Sequence, residues 1–296
     1  MLVQMKRLLF VFYGFLLSSG IYGEEVLTKK QAAVLGVIQG ATEFLPVSST
    51  GHMVLANELL FKDTYKAKQK AHVDNFMICI QLGTILTLLL FYRKYVGRIF
   101  KGWIGKDKLG FRLGLNVGIA FIPAGLLGFL CDGYIQEYFY TRNFIATSLW
   151  VGGIAIFLLE FYRKTHPARM DDVYQLTLRS ALIIGLFQVI ALWPGFSRSL
   201  ATIIGGIAVG FNLVQAINFS FLLGLLTSSV ASGYKFLKGG TAFWDAIPWD
   251  TCFLGISVAF VIGISTIGVF FRYIKGNGLK IFGWYRIFVG ILLSIF

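Results

Sequence analysis

A polar stretch, EFLPVSSTGH at residues 43–52, lies inside an otherwise apolar part of the chain. It places a hydroxyl at Ser49 and an imidazole at His52, three positions apart, so that on a helix both side chains share one face. A base within reach of a hydroxyl is the minimum for an activated nucleophile, and the spacing predicts Ser49 as the nucleophile with His52 as its base. The alternative is that His52 is a hydrogen-bonded packing residue of an apolar helix.

A carboxylate precedes these two residues. Glu43 and Gln39 are four positions apart and share a face of the preceding helix. A glutamate there would hold a divalent cation or orient His52, so Glu43 is the third predicted catalytic residue and the candidate metal ligand. Ser48 and Ser49 are also natural N-cap residues for the helix that follows, so one serine would cap while its neighbour reacts.

A second polar stretch, PGFSRS at residues 194–199, supplies groups that bind anions. Arg198 presents a planar fork of donors suited to phosphate oxygens, and nearby hydroxyls add further donors. A helix that starts after each proline would also point its free N–H groups at the bound anion. The predicted substrate-binding residues are Ser48, Ser197, Arg198, Ser199, Thr202 and Gln39. These groups, placed in apolar surroundings, indicate phosphoryl chemistry on a lipid phosphate.

The composition indicates that the surrounding solvent is a lipid bilayer. Hydrophobic residues make up 56% of the 296 residues, charged residues only 14%, and the mean hydropathy is +0.73. A soluble domain carries roughly a quarter charged residues. The net charge of +13 is explained by membrane orientation and anionic headgroups, so no nucleic-acid partner is expected. Cys79, Cys131 and Cys252 lack metal-binding spacing and are interpreted as buried small side chains.

Six apolar segments are long enough to cross a hydrocarbon core of roughly 30 Å. They are residues 73–92, 113–131, 144–162, 217–236, 252–271 and 281–296, the last of which is short. Residues 1–23 form a signal-like segment that is either cleaved or kept as a first apolar helix, and in both cases residue 24 lies outside the cell membrane. Residues 24–296 are interpreted as a single integral membrane domain.

The basic residues predict the orientation of these spans. Lysine and arginine concentrate in three connections, at residues 93–112, 163–179 and 272–280. The positive-inside rule places these connections in the cytoplasm and the alternate ones outside. The exception is the lysine-rich segment at residues 62–72, which this topology leaves outside.

Two further segments, residues 31–61 and 180–211, do not fit as simple spans. Each is interrupted near its middle by a polar break, at Pro46 and at Pro194, and each half is too short to cross. Matching the two prolines indicates a weak internal repeat whose two copies enter from opposite sides. The predicted fold is therefore an all-α polytopic membrane protein with six transmembrane helices and two re-entrant helical hairpins in an inverted repeat. Close packing of small and hydroxylated residues is the alternative for some of the serines.

The motifs QGATEFLPVSSTGH and LWPGFSRSLAT resemble the two signatures of the undecaprenyl-diphosphate phosphatase family, also called bacitracin-resistance proteins. The likeness extends to NFMICIQLG, DDVYQL and NFSFLLG, so it covers nearly the whole chain after residue 30. The resemblance implies hydrolysis of the terminal phosphate of a C55 isoprenyl diphosphate, which regenerates the carrier lipid for cell-wall synthesis. It also implies a bacterial plasma (inner) membrane, surrounding membrane lipids and an active site facing the outer side. A homodimer is compatible with the sequence.

The resemblance also implies roles for individual residues. Glu43 matches the acidic residue of the first signature, Ser49 the nucleophile and His52 its partner. The diphosphate binders carried over are Ser197, Arg198 and Thr202. The family implies assistance by a divalent cation, Mg²⁺ or Ca²⁺.

The sequence departs from the family pattern at three positions. Gln39 stands where many relatives have a first glutamate, which weakens a two-carboxylate metal site and leaves Glu43 alone. Leu200 replaces a glycine of the second signature, so the backbone there would approach phosphate less closely. Leu226 replaces a proline, which indicates a straighter helix.

Two rival functions were weighed against this interpretation. Type-2 phosphatidic acid phosphatases need a second histidine downstream of the serine–arginine pair, and the histidines here, His52, His72 and His166, all precede Arg198. That rival therefore fails. The other rival is a polyprenyl-phosphate transporter or lipid flippase, since broken helices in inverted repeats are the usual architecture of transporters.

Overall fold

The computed structural model describes residues 27–60, 67–245 and 248–295, and regular structure within them is α-helical apart from short turns. Extended backbone pairs there only at a single bridge between Met170 and Phe211. The predicted all-α class is therefore confirmed. The signal-like segment at residues 1–23 lies outside the described residues, as does the start of the lysine-rich segment at 62–72.

The helices follow one another with short connections. In chain order they are α1 (Lys29–Thr42), α2 (Ser49–Leu60), α3 (Ala67–Phe91), α4 (Arg93–Trp103), α5 (Lys108–Leu130), α6 (Asp132–Tyr138), α7 (Arg142–Thr165), α8 (Leu178–Val189), α9 (Arg198–Ala208), α10 (Leu213–Asp245), α11 (Trp249–Asn277) and α12 (Lys280–Ile295). Two single 3₁₀ turns, Val173–Gln175 and Ile190–Leu192, precede and follow α8.

Five of these helices are long and apolar enough to cross a membrane, by length and composition within the described residues. The spans are Val73–Phe91, Lys108–Leu130, Arg142–Thr165, Leu213–Gly239 and Trp249–Asn277. They agree with the first five predicted spans to within one residue at residues 92 and 131 and contain the rest, as expected for a multi-pass membrane protein. Helix α12, which holds the predicted sixth span, has 16 residues and at about 1.5 Å per residue is shorter than a typical crossing helix.

The two segments that did not fit as spans each form two short helices around a break. Helix α1 starts with a capping box at Thr28 and ends at Thr42, and α2 begins at Ser49. Helix α8 starts after the N-cap Thr177, and α9 begins at Arg198. The predicted helix–break–helix pattern of residues 31–61 and 180–211 is therefore confirmed.

Long helices cover both broken segments. Helix α1 packs against α11, and α8 packs against α5. Glycines allow these backbones to approach closely, because a Cβ at Gly36 would press on the carbonyl oxygen of Gly255, and one at Gly185 would press on that of Ala120. The irregular backbone of each break is thereby placed inside protein, which is where a membrane protein tolerates it.

Candidate active site

A cavity of about 350 Å³ lies where the two breaks meet. Six of the residues predicted to form the site line it, namely Glu43, Ser48, Ser49, Ser197, Arg198 and Ser199. Helix α5, helix α6 with the connection that follows it, and α10 complete the wall, through residues that include Gly128, Asp132, Tyr140 and Lys235. The predicted site residues Gln39, His52 and Thr202 are not among those that line the cavity.

Both breaks end in a serine whose backbone adopts a left-handed conformation. Ser48 has φ 73° and Ser197 has φ 80°, and within the described residues no other non-glycine residue has a positive φ. Each serine side chain caps the helix that follows, Ser48 accepting from the Gly51 N–H at 3.2 Å and Ser197 from the Leu200 N–H at 3.3 Å. A serine in this region costs about 1–3 kcal/mol and persists only where surrounding contacts hold it.

The matching caps change the register in which the two breaks are best compared. Since the two capping serines are equivalent, Ser49 and Arg198 occupy the same position, as the first residues of α2 and α9. The glutamines that precede the breaks have the same separation along the chain. Pairing Pro46 with Pro194 was therefore wrong by one residue, and Pro46 corresponds to Gly195. The turn at each serine and its cap fix the residue at which the helix starts. The proline requires only non-helical backbone, so it can lie one residue earlier or later without moving the helix start.

Glu43 is the centre of a group of polar contacts in the cavity wall. Its Oε2 accepts a hydrogen bond from the Ser49 hydroxyl at 2.8 Å and another from Gln39 Nε2 at 3.1 Å. Its Oε1 accepts from Arg198 Nη2 at 2.8 Å. The carboxylate and guanidinium side chains are only 9% and 17% exposed, so the ion pair is held in apolar surroundings where pairing is required. The predicted nucleophile thus contacts the predicted carboxylate directly.

A glycine on α10 makes room for the arginine. A Cβ at Gly224 would collide with Arg198 Nη1, so the guanidinium lies in a notch that only glycine leaves open. Gly224 was not among the site residues predicted from the sequence. A residue that acts through the absence of a side chain gives little signal in a single sequence.

The structure does not place His52 against Ser49. His52 Nδ1 is 2.7 Å from the carbonyl oxygen of Ser48, and Nε2 is 2.7 Å from the Tyr285 hydroxyl. A carbonyl can only accept, so Nδ1 carries the proton and, in the neutral ring, Nε2 accepts from Tyr285. The expected contact of His52 with Ser49, and its orientation by Glu43, are therefore wrong here. A catalytic role for His52 stays a prediction.

Two other predicted binders, Thr202 and Ser199, form hydrogen bonds within the protein, and only Ser199 also lines the cavity. Thr202 is 1% exposed, and its hydroxyl contacts the carbonyl of Arg198 at 2.9 Å and the Ser220 hydroxyl at 2.6 Å. Ser199 does line the cavity and donates to the Leu45 carbonyl at 3.1 Å, which ties the start of α9 to the first break. In this arrangement Thr202 fixes α9 against α10 through Ser220.

The cavity wall carries a second ion pair, between Asp132 and Lys235, which was not predicted from the sequence. Lys235 Nζ lies 3.0 Å from both carboxylate oxygens of Asp132, and Gln136 also donates to this carboxylate at 2.7 Å. Burial would raise the pKa of Asp132, but the hydrogen bonds from Lys235 and Gln136 outweigh it and hold the pKa below its ordinary value. The sequence signal for this ion pair was a charged residue near the end of each of two apolar spans, Asp132 after Lys108–Leu130 and Lys235 within Leu213–Gly239.

The donor set provides a test for the predicted divalent cation. Within the part of the chain that the structure describes, no group of three or more His, Cys, Asp or Glu side chains could hold a metal ion. Two carboxylates line the cavity: Asp132 is paired with Lys235, and both oxygens of Glu43 accept hydrogen bonds. Mg²⁺ is usually held by one or two carboxylates together with substrate phosphates. The residues therefore fit a cation that arrives with a diphosphate, with Glu43 as a single protein ligand.

Comparison with known proteins places this geometry in context. Residues 32–292 match the family model described as bacitracin resistance protein BacA. An undecaprenyl-diphosphatase of Sorangium cellulosum is 38% identical over 267 residues, covering 88% of this chain and 84% of that protein. Undecaprenyl-diphosphatase 1 of Clostridioides difficile is 40% identical over 267 residues (89% and 94%), and an undecaprenyl-diphosphatase of Aquifex aeolicus is 36% identical over 271 residues (91% and 99%).

Proposed function

The chain belongs to the bacitracin resistance protein BacA family, and from that premise we propose how its cavity carries out the reaction for which the relatives are named. The protein is a membrane phosphatase that hydrolyses undecaprenyl diphosphate to undecaprenyl phosphate and inorganic phosphate. The reaction recycles the carrier lipid of cell-wall synthesis, and the family name links it to bacitracin resistance. The observation that supports the assignment of roles is the contact between the Ser49 hydroxyl and Glu43, whose second oxygen is held by Arg198.

We assign the nucleophile to Ser49 and its base to Glu43. As the Ser49 oxygen attacks the terminal phosphorus, its proton passes to Glu43 Oε2, which already accepts that hydrogen bond at 2.8 Å. The bond from phosphorus to the bridging oxygen breaks, and the lipid monophosphate leaves with that oxygen. Water then attacks the phosphoserine, the bond from phosphorus to the Ser49 oxygen breaks, and Glu43 returns its proton to that oxygen. Both protons of the water leave with inorganic phosphate. Each cycle consumes one water.

Arg198 holds the transferred phosphate in this scheme. One of its nitrogens, Nη2, is used by Glu43, so the guanidinium offers its further donors to phosphate oxygens while it stays anchored. Charge builds on the phosphate and the bridging oxygen in the transition state, and a fixed cation at that position stabilises it more than the ground state. The N–H groups at the starts of α2 and α9 would add to the same anion site.

A divalent cation is retained as a proposal with a single protein ligand, Glu43. When bound together with the diphosphate, the ion would neutralise part of the charge on the phosphate oxygens. The proposal is tested by measuring phosphate release before and after treatment with a chelator and after return of Mg²⁺ or Ca²⁺. Undiminished release in the chelated protein would rule out the cation.

For the topology we propose six crossings, with α12 as the sixth, and two re-entrant hairpins related as an inverted repeat. The cavity is lined in part by Asp132, Tyr140 and Lys235, which lie near the helix ends that the positive-inside rule places outside. We therefore propose a plasma (inner) membrane protein whose active site faces outward. A cysteine introduced by Ile104→Cys should resist labelling from outside intact cells, whereas rapid labelling would reverse the orientation. A homodimer is also kept as a proposal, to be tested by crosslinking in the membrane.

Phosphate release tests the enzymatic function against the transporter alternative. Purified protein in detergent micelles has no two compartments, so transport cannot occur there. We expect release of one inorganic phosphate per undecaprenyl diphosphate under these conditions. Binding of the lipid without release would favour a carrier and would overturn the phosphatase assignment.

A further inference from the structure

Arg286 on α12 is fully buried, and its guanidinium is surrounded by backbone carbonyl oxygens. Its Nη1 donates to the Pro46 carbonyl at 3.1 Å, and Nη2 donates to the Gly195 carbonyl at 2.9 Å. Further bonds reach two carbonyls of α7, from Nη2 to Ser148 at 3.0 Å and from Nε to Leu149 at 3.3 Å. One side chain therefore joins the two breaks to each other and to α7.

The two carbonyls at the breaks occupy equivalent places in the internal repeat. Pro46 precedes the strained cap Ser48 by two residues, and Gly195 precedes the strained cap Ser197 by two residues. Ser49 directly follows Ser48, and Arg198 directly follows Ser197. The guanidinium therefore bonds a carbonyl three residues before Ser49 and another three residues before Arg198. Arg286 thus spans the two halves of the repeat at the point where they meet.

The charge on Arg286 is also compensated differently from the charges of the cations that line the cavity. The cavity-lining cations Arg198 and Lys235 each have a carboxylate partner, Glu43 and Asp132 respectively. Within the described residues, by contrast, Arg286 forms no salt bridge and is solvated by carbonyl dipoles. A buried cation without a carboxylate is costly, so its retention indicates a requirement that an apolar side chain would not meet.

A glycine on α7 makes this position available. A Cβ at Gly152 would collide with the guanidinium of Arg286, so the arginine reaches the breaks only because that position has no side chain. Gly152→Ala therefore offers a way to displace the guanidinium without changing its chemistry.

We propose that Arg286 is a positioning residue for the phosphatase reaction, which holds the two strained turns together so that Ser49 and Arg198 face the same phosphate. The proposal rests on the assigned function of these two residues. A guanidinium is suited to the task because its rigid fork donates to several acceptors at once, whereas a lysine ammonium is a single flexible point charge. Arg286 touches no reacting atom, and its effect passes through the carbonyls of Pro46 and Gly195.

The test compares Arg286→Lys with Arg142→Lys. Arg142 also donates from α7 to a carbonyl of α12, that of Leu293, so it links the same two helices without touching a break. Steady-state phosphate release from undecaprenyl diphosphate is measured in detergent for each variant, normalised to folded protein, together with the Tm. We expect kcat to fall at least tenfold in Arg286→Lys with KM changed less than threefold, while Arg142→Lys stays within twofold of wild type in both.

Each outcome bears on the proposal. A normal kcat per folded molecule in Arg286→Lys, with only a lowered Tm, would make the residue a structural element and overturn the inference. If that variant does not fold, Gly152→Ala is measured in the same way, and it must show the same fall in kcat at little change in KM. An equal loss in Arg142→Lys would attribute the effect to general packing of α7 and α12 and also overturn it. Failure of the wild type to release phosphate would instead overturn the proposed function.

Discussion

Replacing Ser49, Glu43 and His52 singly and in pairs would separate the two candidate bases. The Ser49 hydroxyl donates to Glu43 Oε2 at 2.8 Å, whereas His52 is bonded to the Ser48 carbonyl and the Tyr285 hydroxyl. If Ser49 and Glu43 act as one unit, removing both should cost scarcely more than removing either one. His52→Ala leaves their contact intact and should therefore affect turnover much less.

The expected magnitudes follow from these contacts. A positioned general base contributes about 10²–10⁴ in rate, which corresponds to roughly 3–5 kcal/mol of transition-state stabilisation. Ser49→Ala and Glu43→Gln should each lose at least about 10² in kcat, and the double variant should lie within about threefold of the worse single variant. For His52→Ala we expect less than about tenfold, with a loss of roughly 1 kcal/mol in stability from its hydrogen bonds.

The assay is phosphate release from undecaprenyl diphosphate in detergent, normalised to folded protein. Normalisation matters because Glu43→Gln leaves the Arg198 guanidinium without its carboxylate, which costs about 3–5 kcal/mol when a buried pair is broken. Ser265→Ala is the matched control, since that hydroxyl bonds only within its own helix at 3.2 Å and lies away from the cavity. Its kcat should equal that of wild type.

Two results would refute the reasoning. Full activity of Ser49→Ala would reduce that serine to part of a helix start and would require water as the nucleophile. A loss in His52→Ala as large as in Ser49→Ala, and non-additive with it, would restore His52 as the base and show that its ring leaves Tyr285 when substrate binds.

Three further substitutions test other parts of the site and fold. Arg198→Lys should retain little activity because a point charge cannot replace the bidentate fork, and near-normal turnover would make the residue structural. Lys235→Gln in the cavity wall should raise KM more at low than at high ionic strength, whereas Lys238→Gln, at a residue that does not line the cavity, should change KM little. The hydrogen bond from Arg98 lowers the pKa of Asp107 from 3.8 to about 2. The stability advantage of wild type over Asp107→Asn, measured as a difference in Tm, should therefore be full above pH 3.8 and vanish as pH falls through about 2. A difference in Tm that does not depend on pH would contradict this prediction.

Local features of the chain were predictable from the sequence because they depend on neighbours within a helical turn. The bond between Gln39 and Glu43 follows from their four-residue spacing, and the polar breaks in apolar segments follow from the proline and hydroxyl residues themselves. A carboxylate and an arginine in lipid-like surroundings must have partners, so Glu43 and Arg198 could be singled out before any contact was known.

The short α12 illustrates where composition reaches its limit. Its apolar residues predicted a sixth span, but its 16 residues are short for a crossing helix, and it carries the fully buried Arg286. Arg286 lies inside that predicted span, but the sequence did not single it out as a functional residue. Its role became visible only when the carbonyls of Pro46 and Gly195 were seen around it.

The sequence by itself determined the membrane setting, the two broken helices and the side chains able to do phosphoryl chemistry. Only the tertiary structure decided their pairing: Arg198 joined to Glu43, and His52 turned from Ser49 to Tyr285. The physical reason is that sequence spacing fixes which residues share a helix face, but a polar side chain bonds to whichever donor or acceptor the packing of distant helices brings within about 3 Å.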